Sequence, residues 1–145
     1  MADRPDPVDL AARALRHRDR SRRQIDERLA RAGVPDDGRE EALETLERLG
    51  YLDDERFAAG RAEALVRRGY GDDGVRQLLA SEGASEAAID AALAALEPEA
   101  ERARRIVEQR GASARTAAQL QRKGFGEDAV AAAAGGGIAD AGPEA

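Results

Sequence analysis

A chain of 145 residues with formal net charge −6 is long enough for one ordinary domain or a short array of small ones. It has no cysteine, which excludes a disulfide framework and any thiolate metal site. A sequence pI near 5.0 argues against a protein that coats nucleic acid indiscriminately, and the scarcity of aromatic and β-branched residues argues against a sheet.

Residues 1–7 are polar, with Pro and Asp and no apolar run after them, and read as a disordered tail, not a signal peptide. No later stretch approaches the ~20 apolar residues of a membrane span. A cytoplasmic protein that does not enter the membrane is therefore expected. Pro7 suits the first turn of a helix. Val8, Ala11, Ala12 and Leu15 then mark one apolar stripe, with Arg13, Arg16 and, if the helix reaches that far, Arg20 opposite. Ser21 is a good N-cap for a second helix, in which Ile25, Leu29 and Ala32 share a face and Gly33 supplies the stop. Pro35-Asp-Asp-Gly38 opens a third helix, with Ala42, Leu43, Leu46 and Leu49 inward and Gly50 at its end. Residues 8–50 thus form a first three-helix unit.

A second unit, 51–97, starts at Tyr51-Leu52, with Asp53 or Asp54 as cap and acids favouring the positive helix N-terminus. Ala58, Ala62, Leu65 and Val66 continue its inner face, followed by Val75, Leu78 and Leu79, and then by a helix capped by Ser85 with Ile89, Leu93 and Leu96. Pro98 begins a third unit, 98–134, with Ala103, Ile106, Val107, Ala117 and Leu120 inward and a short final helix from Phe125 that offers only Val130 and alanines. Residues 135–145, Gly/Ala/Pro-rich, read as a second disordered tail.

One pattern recurs along this order. Leu29-Ala-Arg-Ala-Gly33-Val34, Leu79-Ala-Ser-Glu-Gly83-Ala84 and Leu120-Gln-Arg-Lys-Gly124-Phe125 each close a helix with Leu, three residues and Gly. Self-similarity at such spacing is the mark of a repeat architecture. Each unit is too small to bury its apolar faces alone, so neighbours should stack. The expected fold is all-α: three tandem three-helix repeats forming an elongated, curved stack, suited to holding something long.

Charge is unevenly placed. Eight arginines lie within residues 8–33 against four acids, whereas residues 34–66 carry ten acids against four arginines. Arg13, Arg16, Arg18, Arg20, Arg22 and Arg23 straddle the first helix junction, and smaller clusters recur at Arg67-Arg68, at Arg102 with Arg104-Arg105, and at Arg122-Lys123. Such groups either keep a helix exterior soluble or meet phosphates and carboxylate-rich surfaces bidentately. Bases are normally held by aromatic stacking, and no aromatic lies in the first cluster. Backbone electrostatics or protein contact is therefore favoured over base reading.

Enzyme chemistry finds little footing. His17, the only histidine, sits among arginines and reads as solvated. Ser21 has no identifiable base partner and is explained by capping. Asp53-Asp54-Glu55 point in different directions on a helix start and read as caps, not as metal ligands. Gly135-Gly-Gly137 lacks the strand, Lys and Ser/Thr of a phosphate loop. No catalytic residue, metal or cofactor is expected.

Gly50-Tyr-Leu-Asp-Asp-Glu-Arg-Phe-Ala58, followed by Arg67-Arg68-Gly69-Tyr70-Gly71, resembles the hallmark of the RecX family, regulators of the RecA recombinase. Within it Tyr51, Leu52, Asp53, Asp54, Phe57, Ala58, Gly69, Tyr70 and Gly71 are read as structural. The similarity spans residues 8–134, and the alanine-rich final helix departs from the family pattern. The resemblance implies tandem three-helix repeats, binding to the RecA–single-stranded DNA filament, and inhibition of the recombinase, its ATPase and filament extension. It makes the RecA filament the expected partner, single-stranded DNA a further one, and a monomer the expected state. A three-helix module that binds DNA directly is the alternative.

Overall fold

The computed structural model describes residues 5–141, with side chains for residues 5–134. Nine helices and no strand occur among the described residues, so the all-α expectation holds: α1 Pro7–His17, α2 Arg22–Arg31, α3 Asp36–Arg48, α4 Asp54–Arg67, α5 Asp72–Ser81, α6 Glu86–Ala94, α7 Glu99–Arg110, α8 Ala114–Arg122 and α9 Glu127–Ala141. Pro7 occupies the first turn of α1.

Helix starts follow the capping residues. Ser21 makes a full capping box: its Oγ accepts the Gln24 N–H while the Gln24 side chain accepts the Ser21 N–H. Ser85 Oγ accepts the Ala88 N–H at 3.1 Å, and Asp53 Oδ1 accepts the Arg56 N–H at 3.0 Å. Between the two acids at the start of α4, Asp53 is therefore the cap.

Helix ends explain the recurring Leu-x3-Gly pattern. In α2, α5 and α8 the glycine has φ between 84° and 94°, and the residue after it donates its N–H to the carbonyl of the leucine: Val34 to Leu29, Ala84 to Leu79, Phe125 to Leu120. The glycine N–H bonds one turn back, to Ala30, Ala80 and Gln121. This paired arrangement is the Schellman stop, which satisfies carbonyls that a helix end leaves open. The same motif also closes α3 through Leu46, Gly50 and Tyr51, and α4 through Leu65, Gly69 and Tyr70. All five leucines are at most 1% exposed. Burial of each stabilises by about 2 kcal/mol, so one residue both terminates the backbone and anchors the core.

The chain forms two compact units: Met1–Gly60 with Leu79–Ala91, and Arg61–Leu78 with Ala92–Ala145. In the first, α1, α2 and α3 pack on one another around Ala11, Ile25, Leu29, Leu43, Leu46 and Leu52. In the second, α7, α8 and α9 pack together around Ala103, Leu120, Phe125, Ala129 and Ala133, with Ile106, Val107 and Val130 at the margin. The middle segment, 51–97, is shared out: residues 51–60 and 79–91 belong to the first unit, the rest to the second.

The second unit is closed by backbone meeting backbone. Gly71 N–H donates to the Lys123 carbonyl at 2.9 Å and Asp73 N–H to the Gly124 carbonyl at 3.0 Å. A Cβ on Gly71 would lie 2.5 Å from the Phe125 backbone, and one on Gly124 would lie 2.2 Å from Gly74 N. Only glycine permits this approach.

Helix α9 continues to Ala141, seven residues beyond the Ala134 end read from the sequence. Residues 135–141, expected in a tail, are helical: the ladder begun among good helix formers runs on through the glycines, each of which weakens it by about 1 kcal/mol relative to alanine. The expectations for residues 1–4 and 142–145 lie outside the described residues.

Candidate functional site

The arginines at the α1–α2 junction divide into two kinds. Arg22 pairs with Glu40 at 2.7 Å and Glu47 at 3.2 Å. Desolvation opposes its charge, but these two carboxylates more than offset it and raise its pKa. Arg23 donates to the Ser81 carbonyl and sits 3.7 Å from Glu27. Arg20 donates to the Ala14 carbonyl at 3.3 Å; burial, with Arg18 and Arg28 nearby, lowers its pKa. Arg13, Arg16 and Arg18 are exposed and carry no ion pair among the described residues. The six-residue cluster read from the sequence therefore supplies three outward charges, while the other three tie down the first unit.

Ser21 is fully buried; besides capping α2 it donates its hydroxyl to the Glu82 carbonyl at 2.6 Å. That geometry leaves no free lone pair facing solvent for nucleophilic work. Among the described residues no group of three or more His, Cys, Asp and Glu could hold a metal. No described helix is long and apolar enough to cross a membrane.

In the second unit three separate sequence clusters converge. A cleft of about 300 Å³ is lined by Arg67, Arg68, Arg102, Arg105, Arg110 and Lys123 together with Val66 and Ile106, and is backed by the buried Leu120 and Phe125. No carboxylate residue is among those lining it. Arg67 and Arg68 are exposed and carry no ion pair among the described residues. Lys123 Nζ stands 4.2 Å from the centre of the Tyr70 ring, a cation–π contact. Arg105 is held by Glu97.

Arg102 departs from the sequence reading. It is 4% exposed, pairs with Asp72, donates to the Glu97 and Tyr70 carbonyls at 2.9 and 3.3 Å, and lies 5.9 Å from the Phe125 ring centre. It is a structural member of the cleft wall, not part of an outward ridge, because it is buried and its Nε and both terminal nitrogens are held by these partners. Arg104 faces away from the cleft, paired with Glu101 and Glu108, and Arg122 is exposed outside it. The sequence reading missed Arg110, Gln109 and Gln119. For Gln109 the signal was helical spacing: Arg102, Arg105, Ile106 and Gln109 recur at i, i+3, i+4 and i+7 on α7, whereas Gln119 lies on α8 outside that series.

No protein-family model matches the chain. It is 32% identical over 134 residues to the regulatory protein RecX of Stenotrophomonas maltophilia (strain K279a), covering 86% of this chain and 82% of that protein. The RecX family is this chain's family. It is likewise 35% identical over 136 residues to the regulatory protein RecX of Halorhodospira halophila, covering 87% and 84% of the two chains. The crystal structure of RecX from Lactobacillus salivarius superposes with a TM-score of 0.75 at 16% identity, over 88% of this chain and 91% of that one. That likeness carries the fold.

The RecX-like segment has a structural explanation residue by residue. Leu52, Phe57 and Ala58 are buried. Asp53 caps α4, and Asp54 accepts the N–H groups of Arg22 and Ser85 at 2.8 and 2.9 Å. Gly69 sits in the Schellman stop of α4, Tyr70 follows it beneath Lys123, and Gly71 permits the approach of Phe125. Among the apolar and aromatic residues of the segment Tyr51 is the outward one, 55% exposed.

Proposed function

We propose that this protein is a negative modulator of the RecA recombinase that binds the RecA–single-stranded DNA filament and inhibits its ATPase, extension and strand exchange. Membership of the RecX family carries this reading. Arg13, Arg16 and Arg18 support it: they are outward, unpaired cations on a chain of net charge −6, suited to an acidic protein surface or to phosphate. By binding one filament state better than the growing or ATP-cycling state, the protein shifts that equilibrium. The reading keeps three three-helix repeats, 8–50, 51–97 and 98–134, each with a Leu-x3-Gly stop closing its second helix, at Gly33, Gly83 and Gly124. The protein works as a non-enzymatic, cytoplasmic monomer without a cofactor in this reading.

The test is RecA ATPase on single-stranded DNA with and without the protein. Inhibition at stoichiometric amounts is expected; unchanged turnover overturns the reading. Direct DNA binding is the second reading, favoured by the carboxylate-free basic cleft of the second unit. It predicts salt-steep binding to naked DNA without RecA.

A further inference from the structure

The cleft of the second unit has more structure than a charged surface needs. Its cations come from the end of α4 (Arg67, Arg68), from α7 (Arg105, Arg110) and from the end of α8 (Lys123), and Val66 and Ile106 add partly exposed apolar surface. A volume of about 300 Å³ stands at the lower end of the size range of small-ligand sites. It accommodates one compact ligand and is too small for a folded partner.

The polar groups differ in kind as well as in position. Arg67 and Arg68 offer forked donors with no ion pair among the described residues, which suits phosphate oxygens. Gln119 Oε1 accepts from Arg110 at 3.0 Å, which turns its amide N–H₂ away as a donor. Gln109, also in the wall and exposed, has both a donor and an acceptor to give. Amides beside the partly exposed Ile106 match a planar, heteroatom-edged ring, whereas the arginines match a polyanion. A ligand with both parts is a nucleoside phosphate. Two wall residues are held by carboxylates, Arg102 by Asp72 and Arg105 by Glu97.

We propose that this cleft is a binding site for a free nucleoside diphosphate or triphosphate, with the phosphates on Arg67, Arg68 and Lys123 and the base against the partly exposed Ile106, within reach of Gln109 and Gln119. The site stands apart from the filament reading, since its occupant needs no recombinase.

Titration calorimetry on the full chain, without RecA, tests it with three probes: ADP, inorganic pyrophosphate and a thymidine oligonucleotide. Saturable ADP binding, tighter than pyrophosphate and weakened at least about tenfold in R67A/R68A, is expected; removing two charge-assisted phosphate contacts accounts for that size. R13A/R16A, in the first unit, should leave ADP binding unchanged. Arg67 and Arg68 are exposed and unpaired, so the double variant should keep its helical content, and Q109A gives a second, milder loss. Pyrophosphate binding as tightly as ADP overturns the nucleoside assignment. Binding of the oligonucleotide alone, no ADP binding, or ADP binding indifferent to R67A/R68A overturns the site.

Discussion

Glu99 holds at the start of α7 the place that Asp54 holds at the start of α4. Each is the first residue of its helix, and each carboxylate accepts two backbone N–H groups from two other helix starts. Asp54 takes Arg22, first residue of α2, and Ser85, cap of α6. Glu99 takes Asp72, first residue of α5, at 2.7 Å and Gly126, just before α9, at 3.2 Å. One side chain thus holds two positive helix ends that lack intrahelical partners.

Replacing either clamp should therefore destabilise its own unit. Glu99→Ala and Asp54→Ala each remove two charge-assisted bonds, at a cost of about 1–3 kcal/mol apiece. Urea unfolding reads this as a lower midpoint. A midpoint within error of the parent protein for both variants would contradict the clamp.

Glycine substitutions separate backbone strain from collision. Gly33→Ala meets nothing within 4 Å and suffers only its φ of +89°, a cost of about 1 kcal/mol. Gly124→Ala adds a Cβ 2.2 Å from Gly74 N, and the α5–α8 backbone contact must open. Its loss should exceed that of Gly33→Ala by at least about 2 kcal/mol. Thermal unfolding of the two variants side by side gives the ranking.

Arg102 and Phe57 are each the fourth residue of their helix and each 4% exposed. Where α4 buries a ring, α7 buries a guanidinium. Arg102→Ala leaves Asp72 unpaired and two carbonyls without their donor, with an expected cost of about 3 kcal/mol. Asp72→Asn should cost less, since Asp72 is 41% exposed while Arg102 is not. A double-mutant cycle measured by denaturation reports the coupling.

Reversal of the unpaired junction charges checks the functional proposal. R13E/R16E/R18E should raise the concentration needed for half-inhibition of RecA ATPase about tenfold or more, with no change in thermal stability, because these side chains carry no intramolecular pair whose loss would unfold the chain. Equal potency in that variant would assign inhibition to another surface.

Acid should weaken one surface pair. The hydrogen bond from Arg104, with its charge and that of Arg105, holds the Glu101 carboxyl below the usual glutamate range. A depressed folded-state pKa stabilises above the unfolded value and loses that contribution as pH falls through the folded one. Glu101→Gln should lie slightly below the parent in urea midpoint at neutral pH and converge with it in acid. A gap that widens on acidification would reverse the sign.

Much of the fold was legible because it is local. Ser21 and Ser85 announce helix starts through short-range hydrogen bonds, and Leu-x3-Gly announces helix ends because one leucine and one glycine complete the stop. Two further copies close α3 and α4, at Leu46 and Leu65; there Gly50 reads simply as the end of a helix and Gly69 as part of the RecX-like segment. The candidate site was legible only in pieces. Arg67, Arg105 and Lys123 are far apart in sequence and meet through the backbone contact of Gly71 with Phe125, which no periodicity reports. Nor does an arginine in a run of arginines reveal burial: Arg102 differs from Arg104 only in facing Asp72 and Tyr70.

The division of residues 51–97 between the two units constrains how such a chain can be cut. Cleavage after Glu97 would leave residues 61–78 without Lys123, Gly124 and Phe125, the backbone on which Gly71 and Gly74 rest. The stump would display an unpaired strip of α5 and an ownerless carbonyl-seeking turn. Fragments ending at the apparent sequence boundaries should thus be poor folders, and the natural increment of this architecture straddles two of its sequence segments.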